Sequence, residues 1–503
     1  MDFVPSSSLP PDHFLSQPRP DSLNPVFPGF VDTTTLAAHD FDVDNRSGFM
    51  PPQEPLGRLP AQWEPWEEVL DVAITDRLQL GENVSQSENE RAKSSRWRTR
   101  VRELPMLSTT ELKESEVVLR RSHVVLAWIM HFYIRTIPPG DRISIPPSLT
   151  IPLLQVSNHL QLPPVLTYSD DVLYNWKYKT SPKDIPDIHD LQCRTLFTGT
   201  KDEEEFYLSS ARIELRGVEA LSLMRSTMDE LFVGDDIAVK RITTYLRRLA
   251  TVINDLAGLL MSVREGCDPE VFYNQIRPWF KGADSDGSSW TFEGLDREEA
   301  QGLEPPTELS GPSAGQSSLI HALDIFLGVD EYSHSNEITG AESSASTSSS
   351  SGPSFSQLSS FVPTSSSSTA KQSFLDRMRR YMPRHHRNFL NHLASSQRPL
   401  RRFVINNTGP QCDEEANALL EAYNRAVVAL KEFRDKHIVI VSLYIVGPAR
   451  RAASRAAKAD NPDLVEEDGE GDKAELKGTG GTHLVKFLKD VRDGTKGAVV
   501  GSV

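Results

Sequence analysis

The stretch EEANALLEAYNRAVVALKEFRDKHIVIVSLYIV, residues 414–446, decides the fold class. Leu419, Tyr423, Ala426, Leu430, Phe433, His437, Ile440 and Tyr444 recur at steps of four and three, the spacing of one face of an α-helix. Gly447-Pro448 follows and reads as the stop signal. His437 is the polar residue in this apolar stripe, toward its C-terminal end. Such an imidazole has two readings. One is a buried neutral histidine bonded to a neighbour. The other is a metal or haem ligand, because a long apolar face can cover a macrocycle while one ring nitrogen binds the iron. No other histidine lies near enough in sequence to form a zinc-type pair with it. Spacing alone leaves both readings open.

Working outward, Glu205 to Leu231 and Ile237 to Val263 repeat apolar residues with the same helical period, and Gly266-Cys267-Asp268-Pro269 breaks the chain after the second. Val117 to Ile134 is apolar enough for a buried helix. Between residues 60 and 198, helical runs alternate with proline turns such as Ile145-Pro146-Pro147 and Leu162-Pro163-Pro164. Strand signals are few, so the fold is expected to be mainly α. Residues 1–58, rich in Pro, Ser and Asp, read as a disordered tail, with order beginning near Leu59-Pro60 before Trp63 and Trp66. A Ser-rich stretch at about 335–372, containing TSSSSGPSFSQLSS, reads as a surface insertion. A second polar stretch at about 453–477 leads into Gly478-Thr479-Gly480-Gly481-Thr482. That loop lacks the GK[ST] ending of a phosphate-binding loop.

The 503 residues exceed what one hydrophobic core of ~250–300 residues holds. Hydrophobic residues make up 38% and charged residues 25%, a globular composition diluted by polar segments. The net charge of −16 repels phosphate backbones and argues against nucleic acid as a partner. The three cysteines, Cys193, Cys267 and Cys412, form no CxxC pair, which argues against structural zinc or a disulfide framework and fits a reducing compartment. The apolar stretch Ile438 to Ala449 is shorter than the ~20 residues of a membrane span. The first residues lack the basic start and apolar run of a secretion signal. A cytoplasmic protein without membrane contact is expected.

The blocks LPPVLTYSDDVLYNW (162–176), SGPSAGQSSLIHALDIFLGV (310–329), FLDRMRRYMPRHHRNFL (374–390), the His437 helix and KGTGGTHLVKFLKDVR (477–492) resemble, in this order, those of indoleamine 2,3-dioxygenases. The likeness covers about residues 60 to 500 and omits the tail and the Ser-rich insert. It implies a small N-terminal domain, 59–198, packed on a large all-helical catalytic domain, 199–503, with haem b between them. It also implies the family's reaction, in which O2 opens the indole ring of tryptophan to give N-formylkynurenine. The partners implied are L-tryptophan or another indoleamine, O2, and an electron donor that keeps the iron ferrous.

By this resemblance His437 is the proximal haem ligand. Arg434 and Asp324 match positions that orient the ligand and bind propionates. Ser313 and Ala314, in SGPSAGQ, lie at cofactor-binding positions. In EEEFYLSSARIEL, Phe206 and Ser210 match the reacting side, with Ser210 facing the O2 or substrate, and Phe206, Tyr207 and Tyr168 line the indole pocket. In DPEVFYNQIRPWF, Phe272 packs on the indole, Tyr273 stands where the family usually has Phe, and Arg277 binds the substrate carboxylate, which a guanidinium grips with both oxygens. Thr479 sits in a glycine-rich loop that closes over the site. Read without the resemblance, Phe206 and Ser210 would be core residues, Arg434 a solvated helix charge and Asp324 a structural hydrogen-bonding group. Two rivals remain: a non-catalytic haem-binding or sensor protein of the same fold, and an all-α scaffold without haem. Asp171 departs from the family, which commonly has a small neutral residue there. Either it favours the start of a helix running from Ser169 to Trp176, or it accepts a hydrogen bond from the indole N–H or a polar ring substituent.

Overall fold

The computed structural model describes residues 41–180, 188–235, 237–330, 374–408, 413–460 and 484–501. The chain is mainly α. Its longer helices are α1 (Glu64–Thr75), α2 (Glu88–Arg102), α3 (Glu116–Arg135), α4 (Pro147–Leu160), α5 (Lys201–Arg216), α6 (Val218–Val233), α7 (Ala238–Ser262), α8 (Ser318–Leu327), α9 (Arg384–Ala394), α10 (Leu400–Asn407), α11 (Glu414–Val441), α12 (Gly447–Asp460) and α13 (Leu484–Gly497). Among the described residues there are two small sheets. Ile143–Ile145 pairs in parallel with Trp290–Phe292, and Trp176–Tyr178 pairs antiparallel with Leu191–Cys193.

Side chains placed at the helix starts explain several boundaries. Ser87 and Glu90 form a reciprocal capping box at α2, the Thr200 hydroxyl accepts from Glu203 N–H at α5, and Asp413 accepts from Ala416 N–H at α11. Two hydrophobic cores follow. The first surrounds α3, every residue of which from Arg121 to Ile134 is buried. Phe197 stacks on Trp128 with ring centres 4.1 Å apart and on Trp279 at 5.2 Å, so α3 grips the chain on both sides of α5 to α7. This core also takes Tyr207, Phe272, Phe280 and Tyr444 from beyond residue 198. The second core lies where α7 packs along α11. Ile242, Leu246, Leu249, Ile253 and Leu256 meet Leu419, Tyr423, Ala426 and Leu430, with Leu319, Leu323 and Leu327 of α8 alongside.

Three sequence expectations are corrected. Order does not begin at Leu59, because Phe49 and Met50 are buried and Phe49 packs against His386 at 4.9 Å. The rest of the expected tail, residues 1–40, the Ser-rich insert and the segment from 461 to 483 lie outside the described residues. The single helical run from Glu205 to Leu231 is two helices meeting at Gly217, where a Cβ would come within 2.2 Å of Leu319. Glycine lets α8 approach that junction. Gly447-Pro448 does not stop the chain. A π-helical turn at Ser442–Val446 leads through helical Gly447 into α12, and Pro448 falls in its first turn, where a missing N–H costs nothing.

Candidate functional site

The other seven residues of the stripe on α11 and its extension are buried, whereas His437 is only half-buried. Its ring makes no hydrogen bond among the described residues. Burial pushes its pKa down to about 4, helped by the charge of Arg434 one turn earlier. The imidazole is therefore neutral at pH 7, the form that binds iron. Arg434 and Asp324 pair with each other. Arg434 Nη2 lies 2.5 and 2.6 Å from the two Asp324 oxygens, and Nη1 bonds the Thr495 hydroxyl. Both charges are buried. The pair ties α8 and α13 to the turn of α11 just before His437.

The same face of α11 runs on to Tyr444, whose hydroxyl donates to the Cys267 carbonyl at 2.6 Å and whose ring packs on Phe272 at 5.6 Å. Phe272 meets Phe206 of α5 at 4.5 Å, and Phe206 stacks parallel to Phe280 at 6.0 Å. Phe206 and Ser210, one turn apart on α5, are half-buried. Phe272 and Tyr273 lie on a π-helical turn, Phe272–Ile276, that ends at Arg277. Such irregular turns re-aim side chains and recur at functional sites. Arg277 is 6% exposed, with its guanidinium carbon 5.6 Å from the Tyr273 ring centre, and burial pulls its pKa below the ordinary arginine value. The structure thus links Phe206, Phe272 and Tyr444 in one aromatic cluster, with Tyr273 and Arg277 beside each other on the turn that carries Phe272.

Asp171 lies on a third π-helical turn, Ser169–Leu173, which Tyr168 immediately precedes and which packs on α5. The expected helix from Ser169 to Trp176 does not form, since Trp176 begins a strand. Asp171 is 3% exposed, so it is not a solvated first-turn acid. Tyr168 is buried, and its hydroxyl donates to Glu214 Oε1 at 2.9 Å. Ser313 is half-buried, caps the short turn after it through Gly315 N–H, and is followed by exposed Ala314. Thr479 lies outside the described residues.

Sequence reasoning missed three residues that hold these segments together. Glu214 accepts from Ser317 as well as Tyr168, and burial pushes its pKa up to about 7. Gln316 accepts from Tyr168 N–H at 2.8 Å and donates to the Gly311 carbonyl at 2.9 Å. His131 Nδ1 lies 2.9 Å from the Trp279 carbonyl and its Nε2 takes the Leu166 N–H at 3.3 Å, which fixes the neutral Nδ1–H tautomer. Burial pushes its pKa down to about 3. One histidine of α3 thus joins the segment before Tyr168 to the segment after Arg277. The only signal in the sequence was a polar residue inside an apolar run, which does not say what it will meet.

A porphyrin iron with a single protein ligand fits this donor set. His437 is neutral, has no hydrogen-bond partner among the described residues, and lies on an apolar face. Among the described residues no three His, Cys, Asp or Glu side chains converge as a protein-only metal site would require. No helix of the described residues is long and apolar enough to cross a membrane.

The sequence profile of indoleamine 2,3-dioxygenases matches residues 37–498. The chain is 31% identical over 467 residues to indoleamine 2,3-dioxygenase of Saccharomyces cerevisiae, covering 89% of this chain and 90% of that protein. It is 30% identical over 471 residues to indoleamine 2,3-dioxygenase 2 of Mus musculus, covering 92% and 96%. A 6-hydroxytryptophan 2,3-dioxygenase of Fusarium equiseti is 29% identical over 455 residues, covering 90% and 95%. With nearly the whole chain matched, and His437 and the Phe206–Phe272–Tyr444 cluster within the matched region, this protein belongs to the indoleamine 2,3-dioxygenase family.

Proposed function

We propose that the chain is a haem-dependent dioxygenase that inserts both atoms of O2 across the indole C2–C3 bond of L-tryptophan, giving N-formylkynurenine. The observation that carries the reading is His437, a neutral imidazole without a hydrogen-bond partner among the described residues, on an otherwise buried apolar helix face. It would hold haem b, which when bound supplies the ferrous iron that activates O2. An electron donor would keep that iron reduced. A name among the relatives includes a ring-hydroxylated tryptophan, so ring-substituted tryptophans are candidate substrates as well.

The chain's own residues have simpler work. The buried Arg434–Asp324 pair fixes the turn that presents His437. Phe206 and Phe272 hold the indole between apolar faces and exclude water, with Tyr168 and Tyr207 behind them. Arg277 would grip the substrate carboxylate. Its guanidinium is desolvated, so one added carboxylate gains a strong charge-assisted contact. Tyr273 shields that contact, Ser210 faces the reacting edge, and Ser313, Ala314 and Thr479 border the cofactor and the substrate ammonium. The same reading puts the enzyme in the cytoplasm, at the head of the kynurenine route toward NAD.

The test is a Soret band in the purified protein together with kynurenine formation from tryptophan. His437→Ala should purify with little haem and no turnover. Stoichiometric haem with a normal Soret band in that variant would overturn the ligand assignment.

A further inference from the structure

We infer that Asp171 and Tyr207 form a polar patch in the indole-binding wall that selects a tryptophan carrying a hydroxyl group on its six-membered ring. The inference rests on the proposed function and names the substrate class of the same site.

Two adjacent acids occupy the π-helical turn Ser169–Leu173, and their surroundings differ sharply. Asp170 is fully used: one oxygen lies 2.9 Å from His123 Nδ1, and the other accepts from Thr167 N–H at 2.8 Å and from the Thr167 hydroxyl at 2.7 Å. Asp171, equally buried, has an Oδ1 with no hydrogen-bond partner. Burial, with the fields of Asp170 and Glu203, holds its carboxyl well above the usual acid range. The Tyr207 hydroxyl is the second orphan. It is buried, finds no partner of normal geometry, and feels the fields of Glu203 and Asp171. Each unpaired polar group costs stability that an apolar residue would not.

The two orphans lie on elements that pack together, the turn Ser169–Leu173 and α5. Glu203, Tyr207 and Ser210 follow one another at helical spacing on α5, and Asp171 meets that strip from the turn packed against it. Phe206, which meets Phe272, is the neighbour of Tyr207. An unsubstituted benzo ring would leave both polar groups stranded. An indole N–H only donates, and would leave the Tyr207 proton unmatched. A ring hydroxyl can donate to the Asp171 oxygen and accept from the Tyr207 hydroxyl, and so matches both.

The test measures equilibrium binding of L-tryptophan and its 5-, 6- and 7-hydroxy derivatives to the haem-loaded protein by calorimetry, in wild type, Asp171→Val and Tyr207→Phe, with melting temperatures recorded. At least one hydroxy derivative should bind wild type about tenfold or more tightly than tryptophan, and each substitution should remove most of that preference. Asp171→Val should also melt no lower than wild type, because it removes a buried orphan, whereas loss of a structural acid would lower the melting point. Tyr207→Phe keeps the ring and carries the test alone if Asp171→Val does not fold. Equal binding of all four compounds to wild type, or a preference that survives both substitutions, overturns the inference. So does a loss of affinity for tryptophan itself in Asp171→Val with no change among the hydroxy derivatives, which would place the contact at the indole N–H. Absence of haem, or of binding by any of the four, would overturn the proposed function along with it.

Discussion

Removing one half of the Arg434–Asp324 pair tests the link between the second core and the site. In Asp324→Ala the guanidinium of Arg434, 7% exposed, keeps its bond to Thr495 but loses both carboxylate oxygens at 2.5 and 2.6 Å. A buried charge left without its counter-charge costs about 3–5 kcal/mol. With a urea dependence of about 3 kcal/mol per molar for a chain of this size, the unfolding midpoint should fall by roughly 1–1.7 M. Far-UV circular dichroism gives the midpoint, and absorbance at the Soret maximum gives the haem retained. Haem should fall with stability, since the pair anchors the turn that precedes His437. The control is Asp324→Leu combined with Arg434→Met, which removes both charges while filling the space and should recover most of the loss in midpoint. A midpoint shift below about 0.3 M in the single variant, or a double variant less stable than the single one, would refute the argument that the pair is desolvated and mutually dependent.

Arg277→Ala should retain haem but weaken tryptophan binding by about 2–5 kcal/mol, seen as a raised KM, because the substrate carboxylate would be left without its counter-charge. Unchanged KM and kcat would show that Arg277 does not meet the substrate. Glu214 titrates at about 7 when folded against an ordinary 4.5. The folded chain therefore binds a proton that the unfolded chain releases, and wild type should lose up to about 3 kcal/mol of stability as pH rises from 4.5 through 7. Glu214→Gln should lack this slope, so its stability relative to wild type should rise with pH across that window. A constant difference between the two would show that Glu214 is not held protonated by its surroundings.

The helix carrying His437 was readable because a helix buries one face at a fixed period, and eight residues kept that period without interruption. The π-helical turns at 169–173, 272–276 and 442–446 were not readable. An extra residue in a turn is set by what packs against it, and the local pattern still looks helical. Phe206, Ser210, Phe272 and Arg277 were found through family motifs, because their own spacing would place them in a core or on a surface.

The sequence by itself determined that long amphipathic helices build the chain, where polar segments interrupt them, and that one histidine stands in an apolar stripe. Period and composition are local properties, and they survive without knowledge of any neighbour. Only the tertiary structure decided that Arg434 answers Asp324 across 110 positions, that His131 joins the segments on both sides of the site, and that Asp170 is satisfied while Asp171 is not. Whether a buried polar group has a partner depends on atoms brought together from distant parts of the chain, and the residue type alone does not carry that information.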